Sequence, residues 1–220
     1  MDISYDKFIK KENEIYSAIT DVFAPSSKSM RNEALDNGFD WLCEGADKVL
    51  DFGCGTGSML FFCALRGVNY LTGLDLSDEA IKLCHKRAEL MNCGKYEFIH
   101  GSVEALDRFD NGSMDAIILS NVIDNIKPND AVMLLEEAKR ILKENGKILI
   151  KLNPHISNEQ IIDWNIKVIE GNLLDDGLML WNQTTDEWRA LINKYFKECE
   201  YIDVYFPEHE QYNRMFLMIK

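Results

Sequence analysis

The residues able to do chemistry in this chain gather around Val49-Leu50-Asp51-Phe52-Gly53-Cys54-Gly55-Thr56-Gly57, where an apolar strand runs into three glycines at alternate positions and then into a helix. Glycine has no Cβ, so Gly53, Gly55 and Gly57 accept positive φ and let bare backbone N–H groups close on a ligand at the helix N-terminus. Asp51 sits at the strand end just ahead of them, where it would repel a bound pyrophosphate and welcome a ligand bearing an ammonium. A nicotinamide dinucleotide site needs GxGxxG, with a small third residue and an acid about 20 residues on. Ser58 and Asp75 stand at those places, so this element alone does not decide between cofactor classes; the glycines themselves fall as GxGxG.

With Asp51 in front, the stretch from Val49 to Gly57 resembles motif I of the class I S-adenosylmethionine-dependent methyltransferases, and the order of elements from about residue 30 to residue 220 is similar to that family's. The resemblance implies a fold, a cofactor and a set of contacts. Gly53, Cys54, Gly55 and Gly57 would lie against the methionine moiety and ribose, with Asp51 behind them. Asp75, closing Leu71-Thr72-Gly73-Leu74-Asp75, would accept the ribose hydroxyls, and Leu76 would pack on adenine. Ser102 stands where the family carries an acid for the adenine amine and could accept only as a neutral hydroxyl; Val103 could offer its backbone N–H to the ring. Ser120, at the end of the fourth strand, belongs to the same implied set. Arg31 occupies a place where some small-molecule members present an arginine to the cofactor carboxylate, although a solvated arginine on a helix face is an equal alternative. Tyr16 is weaker, because packing already explains its place in an amphipathic stripe.

The implied reaction is transfer of a methyl group from S-adenosylmethionine to a small molecule, leaving S-adenosylhomocysteine. Alignment and exclusion of water supply most of the rate in such a transfer, and a general base helps an amine or hydroxyl acceptor. His155, just after strand five, and Asp124, after strand four, are the candidates by location. The strand-four end, Ser120-Asn121-Val122-Ile123, lacks the NPPY-type tetrad of amino-group nucleic-acid methyltransferases. Asn121 and Asn153 replace the carboxylates that a metal-assisted transfer needs, so no metal is expected. Trp164, Trp181 and Trp188 could wall a substrate pocket, but Trp188 has core periodicity. Two other functions remain open at this point: a module that binds the cofactor without turnover, and a nicotinamide-dependent oxidoreductase.

Strand and helix signals alternate after the glycine turn, which argues for βαβ units and a parallel sheet. Strands are predicted at Lys48 to Phe52, Tyr70 to Asp75, Tyr96 to His100, Asp115 to Ser120 and Lys147 to Leu152, with a final antiparallel pair near Glu200 to Phe206 and Arg214 to Ile219. The fold class is therefore α/β, a Rossmann-like seven-stranded, mostly parallel sheet with an antiparallel C-terminal hairpin and helices on both faces. Helices are predicted at Asp78 to Met91, Asp130 to Glu144 and Thr184 to Phe196. Gly177 to Trp181 reads as a weak extended run. Ahead of the turn, apolar residues from Tyr5 to Phe23 form a helical stripe ending before Pro25, and a second helix covers Asn32 to Cys43. Residues 1–45 are expected to form a helical flap hinged ahead of a cofactor-binding unit at 46–220, with simple coverage of the sheet as the alternative.

A formal net charge of -13 disfavours a nucleic-acid partner, since no run of basic residues compensates it. The six cysteines form no CxxC pair and fall mostly in apolar patterns, which suits a reduced, cytoplasmic compartment. No stretch approaches the ~18 apolar residues of a membrane span, and the N-terminus lacks a secretory pattern, so secretion and membrane insertion are not expected.

Overall fold

The computed structural model describes residues 5–220. A seven-stranded sheet runs in the order β3-β2-β1-β4-β5-β10-β9, from β1 (Lys48–Phe52), β2 (Tyr70–Asp75), β3 (Lys95–His100), β4 (Met114–Ser120), β5 (Leu142–Leu152), β9 (Lys197–Phe206) and β10 (Gln211–Ile219). The first five strands are parallel, and β10 is antiparallel to both β5 and β9. The order reverses between β1 and β4, the position where open α/β sheets leave a crevice beyond the strand ends.

Side chains alternate across the strands, so neighbouring residues serve opposite cores. On one face α2 (Glu33–Cys43) and α3 (Ser58–Ala64) set Phe39, Leu42 and Leu60 against Val49, Ile118 and Leu149. On the other, α5 (Pro128–Ile141) and α7 (Thr185–Ile192) set Leu135, Ala138 and Trp188 against Leu50, Ile117 and Ile150. Local signals start these helices where the sequence suggests. Asn32 caps α2, Ser77 caps α4 (Asp78–Ala88), and Thr184 with Glu187 forms a capping box on α7.

Several boundaries differ from expectation. The first helix, α1 (Asp6–Ser17), stops well before Pro25. Beyond it the chain has no core to face: Phe23 is exposed and instead offers its carbonyl and ring to Arg87. Helix α4 ends at Ala88 rather than Met91. Helix α5 ends at Ile141 and β5 begins at once, because Leu142 pairs with Met114 before an irregularity containing Asn145 at φ 60 brings Lys147 opposite Ala116. Helix α7 is likewise shorter than the stripe ending at Phe196.

The weak extended run belongs to a second sheet that sequence reading did not resolve. Strands β6 (Lys167–Glu170), β7 (Leu173–Asp175) and β8 (Met179–Trp181) are antiparallel in the order β6-β7-β8, following the short helix α6 (Asn158–Asp163). Phe8 of α1 packs on Leu173 and Met179 of this sheet. Helix α2 is built into the main core, while α1 sits apart from it, on the small sheet.

Candidate cofactor and acceptor site

The ends of β1 to β5 open into one cavity of about 990 Å³, roofed by α1, the small sheet and the β9–β10 turn. Drug-sized ligands occupy cavities of roughly 300 to 1,000 Å³, so this one stands at the upper end of that range.

The glycine turn forms one wall. Gly53 has φ 72, and a Cβ there would lie 2.8 Å from Val122 Cγ2; Gly55 has φ 51, and its Cβ would lie 3.1 Å from the Tyr16 hydroxyl. A side chain at Gly53 would press on Val122 beyond β4, and one at Gly55 on Tyr16 of the roof. The Gly55 N–H donates to Asp75 Oδ2 at 2.7 Å and the Ser77 N–H to Asp75 Oδ1 at 2.8 Å. These bonds aim the carboxylate and lower its pKa, against a larger upward push from burial. Of the turn, Gly53 lines the cavity while Cys54, Gly55 and Gly57 do not; Gly57 and Cys54 pack against Cys84 and Gly73 and hold the turn from behind.

Asp51 is 1% exposed, and neither of its side-chain oxygens has a hydrogen-bond partner. Burial, then the nearby Asp75 carboxylate, raises its pKa well above the usual range. A buried carboxyl without a partner is costly, so its place behind a ligand-binding turn fits a cationic group supplied by the ligand. The donor set suits S-adenosylmethionine: an unsatisfied acid for the ammonium, a cradle only glycine leaves open, and an aimed acid for ribose hydroxyls.

Leu76, Ser102, Val103 and Ser120 line the same cavity. The Ser102 hydroxyl donates to Glu104, which also lines it, so an acid is present at this wall two residues beyond the place where the sequence was searched for one.

The floor is a chain of amides. Lys151 Nζ donates to Asn121 Oδ1, and Asn121 Nδ2 donates to Asn153 Oδ1. Asn153 then donates from its backbone N and its Nδ2 to Asp124 Oδ2, at 2.6 and 3.0 Å. Burial lowers the Lys151 pKa to about 8, with Asp124 opposing the shift. Asp124 is raised by burial, partly offset by the Asn153 N–H and by Arg214 and Lys151.

Six of the sequence candidates, Arg31, Asp51, Cys54, Gly55, Gly57 and Asp124, do not line the cavity. Asp124 is fully buried beneath Asn153 and does not line the cavity, because the chain after β4 turns both Ile123 and Asp124 inward; its Oδ2 accepts from the Asn153 backbone N–H and side-chain amide. Arg31, at φ 58, is exposed and outside the cavity, since α2 is committed to the sheet and carries the residue before its cap away from the strand ends. His155 does line the cavity; burial and then Arg214 lower its pKa below the ordinary imidazole value, with Glu187 opposing.

The roof was not foreseen as a ligand surface. Tyr5, Phe8, Ile9, Glu12 and Tyr16 of α1 all face inward. Their spacing of three and four residues puts them on one helix face, and a carboxylate within that apolar stripe was the available signal. Burial, then Asp75, pushes Glu12 up to about 7. Helix α1 is held by Lys7 on Asp175 at 2.6 Å, Lys11 on the Gly177 carbonyl at 2.9 Å and Asn13, which accepts from Ser77 Oγ at 2.5 Å. Of the three tryptophans only Trp164 lines the cavity; Trp188 is buried with Trp181 against it, edge to face.

Residues 49–146 match the family model described as "Methyltransferase domain". Among curated proteins, the chain is 36% identical over 91 residues to a putative ribosomal RNA large subunit methyltransferase of Methanocaldococcus jannaschii, covering 37% of this chain and 23% of that protein. It is 25% identical over 128 residues to the ubiquinone biosynthesis O-methyltransferase of Neisseria meningitidis, covering 57% and 52%. The chain thus spans about half or less of these relatives' lengths. Among solved structures, a SAM-dependent methyltransferase from Methanosarcina mazei superposes with TM-score 0.66 at 19% identity, covering 79% of this chain and 92% of that one. The N-methyltransferase NodS from Bradyrhizobium japonicum, in complex with S-adenosyl-L-homocysteine, gives TM-score 0.66 at 12% identity, covering 96% and 98%. These structural likenesses establish a shared fold.

Proposed function

We propose that this chain, which carries a class I S-adenosylmethionine-dependent methyltransferase domain, transfers the methyl group to a small-molecule acceptor. The observation that carries the choice of acceptor is the partial roof: residues of α1, the small sheet and the β9–β10 turn line the cavity together with the strand ends and narrow it to about 990 Å³. The chain's formal net charge of -13 argues in the same direction, because a phosphate backbone would meet repulsion. The family match leaves no reason to retain a nicotinamide cofactor.

When bound, the cofactor supplies a methyl group made electrophilic by its sulfonium. The protein's own work is positioning. Gly53 and Gly55 give up side chains so that the turn can approach closely, Asp75 accepts from the ribose hydroxyls, and Asp51 answers the ammonium. Leu76 and Val103 flank the adenine, with Ser102 and Glu104 as its polar wall. Asn121 and Asn153 present fixed amide edges at the floor beside the acceptor. His155, neutral near pH 7 because burial and Arg214 disfavour its charged form, takes the acceptor's proton.

Thermal shift with S-adenosylhomocysteine and with NAD tests the cofactor: a ligand at 100 times its dissociation constant adds ~2.7 kcal/mol, and stabilisation by NAD alone would overturn the assignment. Transfer of tritiated methyl to a metabolite extract, with ribosomal RNA as the comparison acceptor, tests the acceptor class. Label in RNA and none in small molecules would refute the proposal.

A further inference from the structure

Six carboxylates line the cavity, and no lysine or arginine among the described residues does. Three of the six are engaged: Asp75 by two backbone N–H groups, Glu104 by Ser102 and Asp130 by the Tyr5 hydroxyl. The other three, Glu12 on α1, Asp176 in the β7–β8 turn and Glu210 in the β9–β10 turn, have no hydrogen bond or ion pair from their carboxylates among the described residues. They come from three separate elements of the roof, so no local helix or turn requirement explains their convergence. The cofactor does not account for them either. It brings a single net positive charge, and its ammonium and ribose already have Asp51 and Asp75.

We propose that the acceptor is an amine that enters the chamber as a cation, drawn by Glu12, Asp176 and Glu210, and is methylated on nitrogen. This rests on the methyl-transfer function proposed above. Like charges gathered in a concave wall focus their potential into it and raise the local concentration of cations. An acceptor bearing a carboxylate or phosphate would enter against Asp176, Glu210 and a Glu12 that is partly ionised near pH 7, its pKa pushed up to about 7 by burial and Asp75. The rings of Tyr16 and Trp164 line the same cavity, and aromatic rings attract cations through their quadrupole; the Tyr5 ring is already taken by Lys127, 4.9 Å from its centroid. Chemistry then needs the free amine. The ammonium gives its proton to the His155 imidazole, which lines the same cavity and is open to solvent. The nitrogen lone pair forms the N–CH₃ bond as the S–CH₃ bond breaks, and that bond's electrons remain on sulfur.

The experiment uses the full chain, tritiated-methyl S-adenosylmethionine and a metabolite extract split by ion exchange into cationic, neutral and anionic fractions, with products resolved from residual cofactor. Label in a product of the cationic fraction that titrates as an amine is the expected result. Label confined to neutral or anionic products overturns the amine assignment and leaves methyl transfer standing. No label in any fraction overturns both. For the labelled amine, Glu210→Gln and Asp176→Asn each raise KM about tenfold, the loss expected for a contact to a charged group, with KM for S-adenosylmethionine unchanged. Both side chains are exposed, so an unchanged melting temperature verifies the fold. Unchanged KM for the amine in both variants refutes the role of the acidic wall.

Discussion

Asp51 offers the sharpest test of how the turn recognises its ligand. Asp51→Asn keeps the shape and removes the charge. Both Asp51 oxygens lack partners in the free protein, so no intramolecular hydrogen bond is lost, and the unfolding free energy at about pH 5 should stay within about 1 kcal/mol of wild type. Binding should respond differently. A hydrogen bond to a charged group is worth ~1.5 to 3 kcal/mol, so affinity for S-adenosylhomocysteine should fall roughly 10- to 100-fold by titration calorimetry. The pH dependence carries the same signature. Burial and Asp75 raise the Asp51 pKa well above 3.8. As pH climbs from 3.8 toward that raised value, the native chain keeps a proton the unfolded chain has lost, so stability declines across the window. The ligand ammonium selects the ionised carboxyl, so affinity rises over that window. Asp75 and Glu12 are also raised, which is why the slopes are compared as wild type minus Asp51→Asn. If the variant binds as tightly as wild type with the same pH slope, the pairing of Asp51 with the cofactor is wrong.

Lys151→Met leaves the buried Asp124 short of one cation and should cost about 3 kcal/mol by urea unfolding. The Lys151 pKa is depressed to about 8 from 10.5, so between those values the unfolded chain holds a proton the native chain has released, and wild-type stability should rise with pH relative to the variant. Gly53→Ala must adopt φ 72 and bring its Cβ to 2.8 Å from Val122; the two penalties together cost roughly 2 to 4 kcal/mol in the same assay. Arg31→Ala should leave S-adenosylhomocysteine affinity within about twofold by calorimetry, because Arg31 is exposed and outside the cavity.

What the sequence discloses is local in origin. The glycine spacing, the acid ending β2 and the apolar alternation of the central strands depend on neighbours in the chain, and each lies where the pattern put it. Capping residues did as well, since Ser77 and Thr184 act within one helical turn. The misses share a different cause. The strands of the small sheet are three or four residues long, too short for a period of two to show, and the α1 residue that packs on them, Phe8, lies more than 150 positions away. Position after a strand also says nothing of direction: Asp124 and His155 both follow strand ends, and one turns into the core while the other faces the chamber. Arg31 lies outside the cavity for the same reason, since distance along the chain does not fix which way α2 leads it.

The floor and the roof of the chamber then divide the work of selection. Lys151 and Asp124 are both taken out of water, yet they do not touch; Asn121 and Asn153 lie between them, each amide donating toward the carboxylate and accepting from the ammonium side. Such a chain polarises its members and fixes which way each amide points. The two charges cancel beneath the floor, so what meets a ligand there is a neutral amide edge of set orientation. The roof has no such compensation, because Glu12, Asp176 and Glu210 stand without cations among the described residues. Orientation of the acceptor is thus assigned to a neutral surface, where a charge would bind too indiscriminately, and its attraction to an acidic one on the elements that must admit it. Exchanging the sign of the roof by Asp176→Lys with Glu210→Lys should therefore weaken entry of a cationic acceptor, read as a fall in kcat/KM, while the floor and S-adenosylhomocysteine affinity stay as they are; a matched fall in cofactor affinity would show that roof and floor are not separable.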